Sequence, residues 1–274
     1  MAWSVFKKKT IVSYTIYTFW QRLLYMISLL SYNIALAKPS YCAPRDWFEA
    51  YNTQQNQSLK NYLLQESPTF IALQEVPYPK WPLNIISIEH YIPLGSVPSH
   101  CGYTTLLIQK SLAQTVKTVF QVGPSVVAIL TGKAHTLAVA SCHLAPSKAN
   151  AAARLEQMRA VVHCCKEHAD HWIIAGDMNM RTAEDTHIEQ LDRLPLTDAW
   201  KICGTPNNKW TWNSQKNHYH PPPRHGFMAR FDRIYSWPNT LQPKHFRRIG
   251  DQPIAKKAHF ASDHFGIFAA YSLP

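Results

Sequence analysis

The feature that most constrains this chain is a series of short apolar runs that stop at polar groups. Tyr25–Ile34, Phe70–Leu73, Thr104–Ile108, Ser125–Leu130, Thr136–Ser141, Trp172–Ala175, Arg230–Tyr235 and Gly266–Tyr271 read as strands. Most are rich in Val, Ile, Leu and aromatic residues and are bounded by Pro, Gly or polar clusters. Two longer stretches carry apolar residues at helical spacing. Arg45–Gln65 opens near Pro44, and Ser147–His168 has Ser147 as its N-cap. Few helices separate the early strands, and hairpin-like pairs fill the middle. This mixture predicts an α/β sandwich of mixed, mostly antiparallel sheets. No GxGxxG occurs, which disfavours a parallel dinucleotide-binding fold. Asn213–Ala229, with three prolines and no periodicity, is expected to be an exposed loop.

The 274 residues suffice for one large domain or two small ones. A 46% hydrophobic share against 16% charged belongs to a folded chain and excludes intrinsic disorder. Lys and Arg number 28 against 17 acidic residues, a net charge of +11 that favours a polyanionic partner such as nucleic acid. The six cysteines form no CxxC pair, so a zinc ribbon is disfavoured, and adjacent Cys164 and Cys165 fit a reduced intracellular protein better than a disulfide framework.

The polar groups at the strand edges form six short motifs. They are Ser31–Asn33 (SYN), Leu73–Glu75 (LQE), Ser141–Leu144 (SCHL), Gly176–Asn179 (GDMN), Arg230–Ile234 (RFDRI) and Ser262–His264 (SDH). A polar group at a strand end sits on a rigid scaffold and still reaches solvent. Burying Glu75, Asp177, Asn179, Asp232 and Asp263 for structure alone is costly, because buried carboxylates need partners. A magnesium ion is one such partner, since it prefers hard oxygen ligands. Each motif is weak singly; their order along some 230 residues carries the weight.

That ordered set resembles the endonuclease/exonuclease/phosphatase superfamily, the DNase I-like fold, over about residues 25–272. Finer runs are similar to those of 5'-tyrosyl-DNA phosphodiesterases: His143–Met158, GDMNMR, WTW at Trp210–Trp212, RFDRIY, SDHFG and YTTLLIQK at Tyr103–Lys110. AP endonucleases typically carry a tyrosine after the aspartate of the fifth motif and a proline after SDH-x; Arg233 and Gly266 stand there instead. The chain also departs after His143-Leu144, where Ala145-Pro146 replaces an acidic-plus-hydroxyl pair and Ser147 is the substitute phosphate contact.

The resemblance implies a four-layer α/β sandwich over residues 23–274, with residues 1–22 as an extension of unknown role. It implies a phosphodiesterase with magnesium or manganese as cofactor. DNA is the expected substrate, single-stranded or carrying a tyrosyl adduct at a 5' end. By the same resemblance Glu75 binds the metal with help from Asn33, and Asp263 supports it. Asp177 is the general base, Asn179 donates to phosphoryl oxygens, His143 and His264 supply charge or hydrogen bonds, and Asp232 orients His264. Residue-level alternatives stay open: a core histidine at His143, or an ion pair of Asp232 with Arg230 or Arg233. Candidate substrate contacts are Tyr103, Ser147, Arg181, Trp200, Trp212 and Arg230, with Trp210 and Phe265 as further stacking rings. Arg181 either meets substrate or pairs with Asp185. Lys244, Arg247, Arg248, Lys256, Lys257, Arg224 and His225 form either a solvated face or a path for a DNA strand.

Residues Leu23–Ala37 admit two readings: a secretory leader cleaved near Ala37, or a core strand and its exit. Cleavage there would remove Asn33, so the strand reading is taken. It implies an intracellular protein, nuclear or cytoplasmic, with no membrane partner and a monomeric state. Other enzymes of the scaffold, such as AP endonucleases, sphingomyelinases and inositol phosphatases, and a non-catalytic nucleic-acid binder are the competing functions.

Overall fold

Side chains alternate between the two faces of a strand, so a strand buried on both sides must be apolar nearly throughout. The central runs of this chain satisfy that condition, and they assemble into two six-stranded sheets in a computed structural model that describes residues 26–36, 48–86, 89–132, 135–220, 225–254 and 260–272. The first sheet runs β13 (Pro243–Ile249), β14 (Gly266–Tyr271), β1 (Ile27–Asn33), β2 (Phe70–Val76), β4 (Tyr103–Gln109), β3 (Tyr91–Pro98). The second runs β5 (Val116–Val122), β6 (Ser125–Thr131), β7 (Thr136–His143), β8 (His171–Asp177), β12 (Asp232–Trp237), β9 (Thr197–Asp198). Each sheet has one parallel pair at its centre, β1 with β2 and β7 with β8, and antiparallel pairs elsewhere.

Leu29, Phe70, Ala72 and Leu106 of the first sheet pack against Val126, Val139, Ile173, Ala175 and Ile234 of the second. On the outer face of the second sheet, α3 (Ala151–His168) buries Met158, Val161, Val162 and Cys165 against Ala138, Ala140 and Ile174. On the outer face of the first, α1 (Phe48–Leu64) buries Leu59 and Leu63, and α2 (Trp81–Ile85) buries Trp81, against Leu30, Ile71 and Leu73. The result is the expected four-layer α/β sandwich. Two further short helices, α4 (Asp185–Glu189) and α5 (Ala199–Cys203), lead toward β9 and away from it.

Some boundaries differ from the sequence reading. Helix α3 begins at Ala151, because Ser147 sits at φ 73° and opens only a 3-10 turn without a side-chain cap. The segment read as a loop is pinned at both ends, by pairing of β10 (Trp212–Asn213) with β11 (Met228–Ala229), and within it Asn217 and Tyr219 are buried. Residues 1–22, Ala37, Arg224, Lys256 and Lys257 lie outside the described residues. The five described cysteines are free thiols. Among the described residues no helix is long and apolar enough to cross a membrane.

Candidate active site

Three strands end in the same way. Along β1 the inward positions read Leu29, Ser31, Asn33; along β7, Val139, Ser141, His143; along β8, Ile173, Ala175, Asp177. Each passes from apolar core to a small residue and then to a polar group that faces the other sheet. Just below them a buried polar layer joins the sheets, where Gln74 Nε2 donates to Ser141 Oγ at 3.3 Å. Register completes the set: Asp177 pairs with His143 across β7–β8 and with Asp232 across β8–β12.

The polar groups converge on one oxygen, Asp177 Oδ2. Asn33 Nδ2 donates to it at 3.1 Å, and the Nε2 atoms of His143 and His264 lie 3.7 Å and 3.6 Å away. The other oxygen, Oδ1, accepts from Asn179 N at 2.9 Å. Asp177 is almost wholly enclosed, as are Asn33, His143 and Asp232. Gly176 makes this possible. Its φ is 153°, and a Cβ there would lie 1.9 Å from Cys142 O on the neighbouring parallel strand. Asn179 takes the left-handed conformation (φ 52°) and spends one amide N–H on Leu144 O at 3.0 Å.

His264 Nδ1 lies 2.8 Å from Asp232 Oδ2. Burial works against the imidazolium, but Asp232 and then Asp177 outweigh it and hold the His264 pKa well above its ordinary value. Asp232 therefore pairs with His264, and Arg230 and Arg233 pair with Asp185 instead. Thr211 Oγ1 accepts from the backbone N–H groups of Phe231 and Asp232 at 3.0 and 3.1 Å, fixing where β12 begins.

Glu75 sits at a bulge of β2 with φ 54°. Asn33 Nδ2 donates to its Oε1 at 3.3 Å and Cys101 Sγ to its Oε2 at 3.2 Å. Burial, and next the like charge of Asp263, push the Glu75 carboxyl up. Two carboxylates that repel in a partly dry site fit a hard dication, which would offset the push on Glu75. Asn33 Oδ1 accepts from Ala35 N at 3.1 Å, which turns the amide NH2 toward the carboxylates. Asn33 thus bridges Glu75 and Asp177 through its amide NH2. Asp177, Asp232 and His264 also bring ligand atoms within 4.8 Å of one another. That trio is buried and already joined by the imidazole–carboxylate pair, so Glu75 with Asp263 is the better seat for magnesium, which keeps several waters. Asp263 is itself held, its Oδ2 lying 2.9 Å from His220 Nε2.

Beside Asp263 opens a cavity of about 210 Å³, lined by Trp212, Asn217, His220 and Phe227 among others. Trp212 stands edge-on to His264 with ring centroids 5.0 Å apart. The Arg181 guanidinium lies 4.5 Å from the Phe231 ring centroid and 5.8 Å from that of Phe227, while Asp185 is paired with Arg230 and Arg233. Tyr103 starts β4 opposite Val76, one residue past Glu75.

Other substrate candidates turn elsewhere. Arg230 is buried, ion-paired to Asp185 and Asp198 and packed on Trp200, whose Nε1 donates to Thr205 O at 3.2 Å. Arg230 is thereby turned inward, while Trp200 stays partly exposed. Phe265 is fully buried, with Arg248 stacked on it at 4.8 Å. Arg247 pairs with Glu66 and Arg248 with Asp251, so of the described basic stretch Lys244 is the exposed member. Ser147 is exposed, and its carbonyl accepts from Arg154 at 2.6 Å. The sequence pattern does not point to Ser99, Cys101, His220 or Phe227. Thr211, between the two tryptophans of WTW, carries a signal.

Comparison with known proteins agrees with this geometry. The Endonuclease/Exonuclease/phosphatase family model matches residues 30–264. The chain is 25% identical over 229 residues to Tyrosyl-DNA phosphodiesterase 2 of Danio rerio, covering 78% of this chain and 61% of that protein. It is 36% identical over 100 residues to 5'-tyrosyl-DNA phosphodiesterase of Caenorhabditis briggsae, covering 35% of this chain and 26% of that one. The chain therefore spans less than two thirds of either relative's length. Among solved structures, D. rerio TDP2 complexed with single-strand DNA product superposes with a TM-score of 0.69 at 22% identity, over 90% of this chain and 98% of that one. TDP2 from C. elegans gives 0.69 at 23% identity, over 90% and 75%. These structural likenesses establish the fold.

Proposed function

Because the chain belongs to the endonuclease/exonuclease/phosphatase family, we propose that it is a divalent-metal-dependent phosphodiesterase that removes tyrosyl adducts from DNA 5' ends. The observation that carries this reading is the convergence of Asn33, His143 and His264 on one oxygen of Asp177, beside the Glu75 carboxylate. The tyrosyl-DNA activity is what the names of both relatives describe. The aromatic cavity of Trp212 and Phe227 offers a stacking surface for a base or a tyrosyl ring. Residues 23–274 form the catalytic domain, acting as an intracellular monomer on single-stranded or 5'-terminal DNA.

Hydrolysis proceeds by in-line attack of water on phosphorus. Asp177 takes the proton of that water as general base. The bond from phosphorus to the tyrosyl oxygen breaks, leaving a 5'-phosphate and a phenol. The His264 imidazolium, kept charged by Asp232, faces the non-bridging oxygens where negative charge grows. Asn179 retains a second amide N–H for the same oxygens. A magnesium or manganese ion held by Glu75, with Asp263 beside it, supplies Lewis acidity and charge neutralisation when bound.

The test is turnover of a 5'-phosphotyrosyl oligonucleotide, an abasic duplex, a sphingolipid headgroup and an inositol phosphate, each with and without EDTA. The expected result is EDTA-sensitive cleavage of the first alone, with Asp177→Asn and His264→Ala each lowering kcat at least roughly a hundredfold. Preference for another substrate in the panel would reassign the enzyme within its family. Wild-type turnover in either variant would overturn the site.

A further inference from the structure

The turn Ser99–Gly102, between β3 and β4, reaches both halves of the site. Cys101 holds Glu75, and Ser99 meets His143 of the opposite sheet, with Ser99 Oγ 3.2 Å from His143 Nδ1. The His100 ring packs on His143 at a centroid distance of 4.0 Å. Ser99 Oγ also donates to Cys101 O at 2.9 Å, with Gly102 O at 3.3 Å as a second acceptor.

A hydroxyl owns one hydrogen, and carbonyl oxygens only accept. Once that hydrogen points at Cys101 O, the serine oxygen can offer His143 only lone pairs. His143 Nδ1 must then carry the proton, because the bond made by one ring nitrogen determines the state of the other. In the neutral ring Nε2 is left as an acceptor, and it faces Asp177 Oδ2 at 3.7 Å. Two acceptors 3.7 Å apart can be bridged by one molecule with two hydrogens to give.

We propose that Ser99 is a positioning residue that fixes His143 in the Nδ1–H tautomer, so that His143 Nε2 and Asp177 Oδ2 together hold the attacking water. His143 thereby orients the nucleophile, while His264 serves the phosphoryl group. The inference rests on the phosphodiesterase reading for its catalytic meaning, but not for the tautomer itself.

The test uses the whole chain labelled with 15N-histidine, with the His143 signals assigned by their loss in His143→Gln. At a pH about two units above the ordinary imidazole value, long-range 1H–15N correlation should show Nδ1 protonated and Nε2 bare in the wild type. Ser99→Ala should redistribute the tautomers and lower kcat on the 5'-phosphotyrosyl oligonucleotide roughly tenfold, with KM changed less than about twofold. Ser99→Thr, which keeps the hydroxyl, should restore both. A bare Nδ1 in the wild type overturns the proposal whether or not the alanine variant folds. So does a fall in kcat with the tautomer unchanged. Failure of the chain to hydrolyse any phosphodiester would remove the function yet leave the tautomer measurement standing, so the two failures are distinguishable.

Discussion

Replacing Arg154 by methionine removes a guanidinium that is fully enclosed and donates four hydrogen bonds to three partners. It bonds Ala145 O at 2.9 Å, Ser147 O at 2.6 Å, and Glu184 through two bonds of 2.9 and 2.7 Å. Glu184 in turn accepts from Arg181 N at 2.9 Å, so the group clamps the exit of β7 to the turn that carries Asn179 and Arg181. Truncating one partner of a buried ion pair costs about 3–5 kcal/mol. The Glu184 side chain keeps 17% of its surface exposed and regains water, which places the loss near the lower end, at about 3 kcal/mol. With a urea m-value of about 3 kcal/mol/M, the unfolding midpoint should drop by roughly 1 M. The pH dependence follows from Glu184. Burial would raise its carboxyl, but the Arg154 hydrogen bonds, followed by that from Arg181 N, outweigh burial and hold it below the ordinary range. A depressed carboxylate stabilises fully above its unfolded pKa and loses that contribution as pH falls through the folded value. The gap between wild type and Arg154→Met should therefore be widest at neutral pH and shrink in acid. A midpoint shift below about 0.2 M, or a gap that widens in acid, would refute the reasoning.

Asp232→Asn keeps the shape of the His264 partner and removes its charge; kcat should fall about 10²–10⁴-fold while circular dichroism stays native. Gly176→Ala drives a methyl into Cys142 O and should cost about 3 kcal/mol or more, seen as a lowered Tm together with lost activity. Phe227→Ala removes an exposed ring from the cavity wall. KM for single-stranded substrate should rise about fivefold, with stability unchanged within about 0.5 kcal/mol; an unchanged KM places the DNA elsewhere.

The eight strands legible in the sequence are the eight interior ones: β14, β1, β2 and β4 in one sheet, β6, β7, β8 and β12 in the other. Of the six that escape notice, β13, β3, β5 and β9 are the edges of the two large sheets, and β10 and β11 form the separate two-stranded pair. Interior strands are covered on both faces and read as unbroken apolar runs. Edge strands carry what discourages pairing with another chain: Pro93 and Pro98 in β3, Lys117 in β5, Lys244 and Arg247 in β13. Site residues at interior strand ends were therefore readable, from Asn33 to His264. Direction was not. Nothing in RFDRI says that Arg230 turns toward Asp185 and Asp198 while Asp232 faces His264. His220 and Ser99 reach the site from turns and a loop, where no periodicity marks which side chain points inward.

β14 is inserted between β13 and β1, and it pairs residues as far apart as Ile27 and Tyr271. Its entry brings His264 alongside Asp232 and Asp177. A chain still being synthesised holds Glu75, Asp177 and Asp232 well before it can seat that histidine, and the longest-range pairing forms late. The constellation around Asp177 is thus incomplete in an unfinished copy, which still lacks its last imidazole.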